Sequence, residues 1–186
     1  MKNISIITIL ALFLGSSSFA IADHHSGGEH QETEAKLKYL EFSEMGNPAE
    51  VIKVKEYSPQ PLKSGEVRVK VLAAPINPSD LLQISGNYGV DPVLPSNPGS
   101  EGVGRVVETS AEVKNLMVGQ LVLLASGGTW RDEIVAPAAG FLPLPNMGPL
   151  STEVIEQLAM SAVNPLTALL MLTSFVDVEK GQWIAQ

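Results

Sequence analysis

The stretch that most restricts the fold is EVRVKVLAAPI, residues 66–76, because apolar and polar side chains alternate along it. The valines at alternate positions point to one side of an extended chain, and Arg68 and Lys70 point to the other. This period of two predicts a half-buried β-strand rather than an amphipathic helix. The rest of the chain must therefore supply further strands with which this one can pair.

Several other short runs have the same character, and Gly- and Pro-rich loops separate them: LKYLEF, VIKVKEY, GVGRVVET, LVLLA and WRDEIVA. Many short strands with such punctuation predict a mainly β fold, a small antiparallel barrel with some helix. The run GSEGVG, residues 99–104, lacks the order of a G-x-G-x-x-G phosphate loop and leads into a strand. We interpret its glycines as sites of close strand packing and of turns.

Past residue 150 the pattern becomes helical. Ser151 or Thr152 can cap a helix over TEVIEQLAMSA, and Asn164-Pro165 begins a second helical run, PLTALLMLTSF. The sequence VEKG then predicts a turn, and QWIAQ predicts the beginning of a strand. This succession is typical of the opening of an α/β unit.

The first 22 residues have the pattern of a secretory signal: a short positive start, an apolar run of about 12 residues, and a small-x-small site ending at Ala22. We therefore predict a signal peptide over residues 1–22, cleavage after Ala22, and an exported, periplasmic product. An uncleaved anchoring helix is the alternative. Residues 23–35, DHHSGGEHQETEA, are polar and aperiodic, which predicts a disordered leader.

Composition excludes several classes of function. The chain has 186 residues and no cysteine, which excludes disulfides, thiolate zinc sites and cysteine nucleophiles. Its formal net charge is −8, and lysines and arginines do not cluster, so nucleic acid and anionic membranes are not expected as partners. All three histidines lie in the leader, which excludes a Ser-His-Asp triad in the folded part.

The leader carries the one metal-like cluster in the sequence: His24, His25, Glu29 and His30. Cleavage after Ala22 would create the terminus Asp23-His24-His25, whose amine, amides and imidazole suit square-planar Cu(II) or Ni(II). A solvated polar leader without metal is the alternative. No metal site is expected in the folded part of the chain.

Tyr88, in the loop SGNYG, is one of few residues in the folded part that could do proton chemistry. A neutral phenol can donate a proton to a developing carbanion or enolate, and it can hydrogen-bond a carbonyl. An ordinary loop aromatic that packs on the barrel is the alternative.

From about residue 37 to residue 186, the order of four segments resembles the medium-chain dehydrogenase/reductase superfamily: GEVRVKVLAAPINPSDLLQISGNYG, LPSNPGSEGVGRVVETSAEVKNLMVGQLVLLA, GGTWRDE and AVNPLTALLML. The motifs GNYG, GTWR and VNP-x-TA are most similar to its zinc-free enoyl-thioester reductases, whereas NPSD and G-x-E-G-x-G-x-V are shared with quinone reductases. The resemblance implies a GroES-like catalytic barrel over residues 36–150. Residues 151–186 would be the first helices and strand of an incomplete Rossmann domain.

The resemblance also implies roles for single residues. Tyr88 matches the family's proton donor, Asn164 matches an asparagine that contacts the nicotinamide cofactor, and Thr167 would line the same cleft. Trp130 and Arg131 belong to the motif but receive no role from it, and simple core packing is the alternative for Trp130. Zinc-dependent relatives carry a histidine where Ser100 stands, so the resemblance implies no metal.

The implied activity is NADPH-dependent reduction of the 2,3 double bond of trans-2-enoyl thioesters in fatty-acid metabolism. The cofactor's glycine loop and the family's homodimer surface are expected after residue 186, so this chain alone is predicted to be inactive. No membrane partner is expected once the signal is cleaved. Two alternatives remain: a quinone or enone reductase of the same superfamily, and a non-enzymatic exported GroES-like binding domain.

Overall fold

The central structural element is a five-stranded antiparallel sheet with the strand order β6-β3-β4-β5-β7. The computed structural model describes residues 36–184. The predicted signal peptide and the histidine-containing leader lie outside these residues. The sheet strands are β3 (Glu66–Ala73), β4 (Gly102–Thr109), β5 (Leu121–Leu124), β6 (Glu133–Pro137) and β7 (Phe141–Pro143).

A separate antiparallel hairpin precedes this sheet and is formed by β1 (Leu37–Glu41) and β2 (Lys53–Tyr57). Single bridges join Tyr39 to Arg131 and Phe42 to Ser96, so the hairpin is tied to two loops of the sheet. A short helix, α1 (Pro48–Val51), connects the two hairpin strands. One of the loops predicted between the strand-like runs thus contains a helical turn, which is capped because the Asn47 side chain accepts a hydrogen bond from the Ala49 N–H (3.2 Å).

The core lies on the valine side of β3, as the alternation predicts. Val67 and Val69 are fully buried together with Val106 and Val122 of the neighbouring strands. The glycines of the GSEGVG run allow β3 and β4 to approach, because a Cβ on Gly104 would lie 2.3 Å from Val69 Cγ1. The interpretation of these glycines as packing sites is therefore confirmed.

Arg68 differs from the expectation that its side of β3 faces water. Its side chain is buried, and its Nε donates to Glu108 Oε2 (2.9 Å). Its Nη1 also lies 3.6 Å from Glu133 Oε2. Two carboxylates from the flanking strands thus cover the cation, which compensates the loss of its hydration.

The helices are short. α2 (Pro78–Ile84) follows β3, and α3 (Thr152–Ala159) and α4 (Asn164–Leu170) follow the sheet; a π-helical turn, Met171–Phe175, extends α4. Both predicted C-terminal helices are confirmed, although α3 ends three residues before the predicted Ala162. The predicted strand at QWIAQ is wrong for its described residues, 182–184, which form no strand. A lone extended segment has no neighbour to satisfy its backbone groups.

No single helix within residues 36–184 is long and apolar enough to cross a membrane. α3 and the helical stretch 164–175 reach that length and hydropathy only as a pair, bent by 53° at the break between them.

Candidate active site

The tyrosine predicted to act as proton donor lies in an exposed loop directly after α2. Asn77 precedes the helix, and its backbone N–H donates to Asp80 Oδ2 (2.9 Å), which fixes the first turn. Gly86, with φ of 75°, ends the helix, and the Asn87 N–H donates to the Leu82 carbonyl (2.8 Å). Tyr88 follows at 47% exposure, and no hydrogen bond of its hydroxyl occurs within residues 36–184.

A polar cluster lies at the other end of α2. The Asn77 side-chain amide donates to Ser100 Oγ (3.3 Å) and to Glu101 Oε1 (3.0 Å). Glu101 is fully buried at 0% exposure. The Asn77 amide thus supplies a hydrogen-bond donor to Ser100 Oγ and to Glu101 Oε1. These two oxygens have their hydrogen-bond partners within the protein. No group of three or more His, Cys, Asp or Glu in the described part of the chain could hold a metal ion.

The second oxygen of Glu101 reaches the turn between α3 and α4. Oε2 accepts hydrogen bonds from the backbone N–H groups of Ala162 (3.0 Å) and Val163 (2.8 Å). Asn164 is the next residue and the first of α4. Glu101 therefore joins the backbone before Asn164 to the start of the helix that leads to Tyr88.

The two residues predicted to contact a cofactor are both exposed on α4. Asn164 and Thr167 are three positions apart and so lie on one face of the helix. Their side chains have no hydrogen-bond partner among residues 36–184, and neither residue is hydrogen-bonded to Tyr88. The structure thus places all three predicted residues at the surface, and it links them only through α2 and Glu101.

Trp130 has a structural role. Its indole Nε1–H donates to the Pro75 carbonyl (3.0 Å), and its backbone carbonyl accepts from the Leu40 N–H (3.0 Å). A Cβ on Gly99, whose φ is 95°, would lie 2.4 Å from the indole Cδ1. Of the two interpretations of Trp130, these contacts support packing.

Arg131, the next residue, lies over the ring of Tyr39, with 5.8 Å between the guanidinium carbon and the ring centroid. Burial lowers the pKa of this guanidinium below its usual value. Trp130 and Arg131 also line an open apolar cavity of about 540 Å³. Its other lining residues include Leu40, Ile52, Ile76 and Leu81. The cavity is adjacent to α2, but Tyr88 does not line it.

Sequence reasoning missed Glu101. The residue stands inside the GSEGVG run, which was considered only for its glycines. A signal was present: Glu101 is the one charged residue of this run and stands directly before an apolar strand. Its partners could not be named, because Asn77 and Ala162 lie 24 and 61 positions away.

Residues 63–146 match the alcohol dehydrogenase GroES-like domain, which confirms the predicted fold class. The chain is similar to the human mitochondrial enoyl-[acyl-carrier-protein] reductase, with 38% identity over 154 residues that cover 82% of this chain and 40% of the relative. The chain thus spans less than half the length of the curated relatives it matches.

Two of the solved structures of similar fold are reductases of different kinds. One is the complex of Etr1p with NADP and crotonyl-CoA, with a TM-score of 0.70 and 31% identity over 79% of this chain and 46% of the other. Another is a putative NADPH:quinone reductase from Bacillus thuringiensis, with a TM-score of 0.67 and 35% identity over 77% of this chain and 42% of the other.

The predicted export to the periplasm is wrong. The similar enoyl-[acyl-carrier-protein] reductases of human, Arabidopsis thaliana and Schizosaccharomyces pombe are mitochondrial proteins. The first 22 residues contain no acidic residue and a run of serines. Because mitochondrial presequences are also acid-poor and serine-rich, these features do not distinguish export from import into an organelle.

Proposed function

We propose that this chain, which belongs to the medium-chain dehydrogenase/reductase superfamily, supplies the substrate-side domain of an NADPH-dependent enoyl-thioester reductase. The proposed reaction reduces the 2,3 double bond of a trans-2-enoyl thioester. In this proposal residues 36–150 form the catalytic domain, and residues 151–186 begin the nucleotide-binding domain. The GroES-like match and the similarity to enoyl-[acyl-carrier-protein] reductases support it.

One observation carries the proposal: a continuous set of hydrogen bonds connects the elements that bear the three proposed site residues. Asn77, at the start of the helix leading to Tyr88, donates to Glu101, which in turn accepts from the backbone directly before Asn164. Residues far apart in the sequence are thereby held on one polar framework. A barrel used only for binding would not require the α3–α4 turn to be fixed in this way.

The chemistry assigned to the chain's own residues is proton transfer and orientation. NADPH, when bound, supplies the hydride that reduces Cβ of the double bond. The Tyr88 hydroxyl then donates a proton toward Cα or hydrogen-bonds the thioester carbonyl. The exposed phenol, with no partner among residues 36–184, is free to turn toward a bound substrate.

The exposed face of α4 offers side chains that fit a contact with the cofactor. Asn164 and Thr167 offer an amide and a hydroxyl on the same exposed face of α4, and both would hold the nicotinamide end of NADPH. We further propose that the reaction needs no zinc, because the Asn77 amide already satisfies Ser100 and Glu101. The cavity of about 540 Å³ beside α2 is apolar, as a site for an acyl chain must be.

A quinone or enone reductase is the second candidate, and the similarity to the putative NADPH:quinone reductase favours it. The two candidates differ in the group next to the double bond, a thioester in one and a ketone in the other. Comparing NADPH oxidation with crotonyl-CoA and with a soluble quinone distinguishes them. A protein active on neither substrate would support a non-enzymatic binding domain.

Tyr88→Phe tests the assigned role. In a protein in which the chain is followed by a complete nucleotide-binding domain, we expect kcat for crotonyl-CoA reduction to fall about 100-fold or more, as for loss of a general acid. The free energy of unfolding should change by less than about 0.5 kcal/mol, because the side chain is exposed. Tyr39→Phe, which removes a phenol outside the proposed site, is the matched control. An unchanged kcat would assign Tyr88 to the loop surface alone.

A further inference from the structure

Glu101 is an ionisable residue that the proposed chemistry does not use. Its carboxylate is fully buried, and no ion pair involves it within residues 36–184. A buried carboxylate without a cation is tolerated only when hydrogen bonds replace its hydration. Here three N–H donors do so: the Asn77 amide and the backbone N–H groups of Ala162 and Val163.

The backbone of Glu101 is held as firmly as its side chain. Its carbonyl accepts a hydrogen bond from Thr129 Oγ1 (2.8 Å), and Thr129 is itself buried. The next residue, Gly102, lies against β3, since a Cβ there would be 2.8 Å from the Ala73 carbonyl. The carboxylate therefore projects from a fixed point of the barrel.

The turn that Glu101 contacts joins a helix that packs on the sheet, α3, to one that is exposed, α4. Ala159 and Ala162 are buried, whereas α4 is exposed along its whole length. Within residues 36–184, the hydrogen bonds that Oε2 accepts are the ones that connect the Ala162–Val163 backbone to the barrel. Asn164 is covalently attached to that backbone, so its position depends on the same carboxylate.

We propose that Glu101 is a positioning residue: by binding the Ala162–Val163 backbone and the Asn77 amide together, it fixes Asn164 relative to the helix that leads to Tyr88. The inference rests on the proposed function, because only that function gives Asn164 a contact with the cofactor. The hold of Glu101 on the turn can be measured without any enzyme activity.

The experiment is hydrogen exchange on the full chain, followed by NMR at single amides. Glu101→Met keeps the length of the side chain and removes both acceptors. We expect the N–H groups of Ala162 and Val163 to exchange at least tenfold faster relative to those of Val69 and Val106, and the Asn164 signals to shift. Equal changes at the core amides, or no change at the turn, would overturn the proposal.

Glu101→Gln is the conservative variant, and it also covers the case in which Glu101→Met does not fold. Its amide retains one oxygen that can accept from both backbone N–H groups. We expect protection of Ala162 and Val163 to remain within about threefold of the parent value, because both contacts to the turn are kept and only the Asn77 amide loses its acceptor. Loss of that protection while Val69 and Val106 stay protected would contradict a positioning role based on acceptor geometry.

The proposed reaction and the proposed role of Glu101 can be refuted independently of each other. If Tyr88→Phe leaves kcat unchanged while Glu101→Met releases the turn, the enzyme assignment is wrong and the positioning contact stands. If kcat falls in Tyr88→Phe but the Ala162 and Val163 amides do not respond to Glu101→Met, the positioning proposal is wrong and the reaction stands.

Discussion

The sheet and the segment 164–184 are both rich in leucine and other large apolar residues, but they bury them very differently. Leu124 of β5 is 1% exposed, whereas Leu170 of α4 is 44% exposed. Phe175 and Trp183 are exposed to 79% and 98%. Apolar content therefore does not by itself make a core. β5 lies between β4 and β7 in the sheet, whereas α4 is exposed along its whole length.

A matched pair of leucine truncations should give the largest difference between the two regions. Leu124→Ala leaves a cavity under β5 and is expected to lower the free energy of unfolding by about 2–5 kcal/mol. Leu170→Ala removes an exposed side chain and should change it by no more than about 0.5 kcal/mol. Urea denaturation of both variants measures the contrast. Similar losses would mean that α4 is packed in solution.

Exposed aromatic side chains in the second region should promote self-association of the chain. We expect Phe175→Ser combined with Trp183→Ser to raise the dimer dissociation constant at least tenfold, which corresponds to about 1.4 kcal/mol. Light scattering over a concentration series gives the value. Val93→Thr, which changes an exposed apolar residue outside the segment, should leave association unchanged. A parent chain that is monomeric throughout the series would refute the expectation.

The smallest effect is expected at the edge of the sheet formed by β6, where Tyr57 of the hairpin contacts Glu133. Burial and then the Glu133 carboxylate raise the pKa of Tyr57 above its usual 10.0, and its hydroxyl donates to the Glu133 carbonyl (3.1 Å). The folded state thus favours the neutral phenol. The neutral Tyr57 phenol therefore contributes to the free energy of unfolding. This contribution is complete below the pKa of Tyr57 in the unfolded chain, and it is lost as pH rises through the higher pKa in the folded protein.

Tyr57→Phe should therefore cost about 0.5–1.5 kcal/mol at neutral pH, the usual worth of one hydrogen bond. It should also reduce the fall in stability above pH 10, as measured by urea denaturation from pH 8 to 11. Tyr88→Phe removes an exposed hydroxyl instead and serves as the control, in which the fall should persist. An identical pH dependence in both variants would show that Tyr57 does not contribute to it.

Local patterns predicted the strands and the helices well, because each depends on residues close together in the sequence. The valines of β3 and the start of α3 at Thr152 are examples. The burial of Arg68 was not predictable in this way, because Glu108 lies 40 positions away. The failed strand at 182–184 has the same cause: whether an extended segment pairs depends on a neighbour that its own sequence does not specify.

In the candidate site, too, some features were predictable from the sequence and others were not. The resemblance located Tyr88, Asn164 and Thr167, and the structure describes where each lies, but their roles remain predictions. The hydrogen bonds through Glu101 could not be read from the sequence, since they depend on how the α3–α4 turn meets the barrel. A single charged residue directly before an apolar strand is worth examining in similar chains for that reason.

The position of β3 in the middle of the sheet has a consequence for synthesis of the chain on the ribosome. β3 pairs on one side with β4 and on the other with β6, which begins only at Glu133. About 60 residues must follow β3 before β6 emerges, which takes about 3–12 s at about 5–20 residues per second. During that interval at least one edge of the valine-rich strand is unpaired and can join another chain. The risk of pairing with another chain is therefore greatest between completion of β3 and completion of β6.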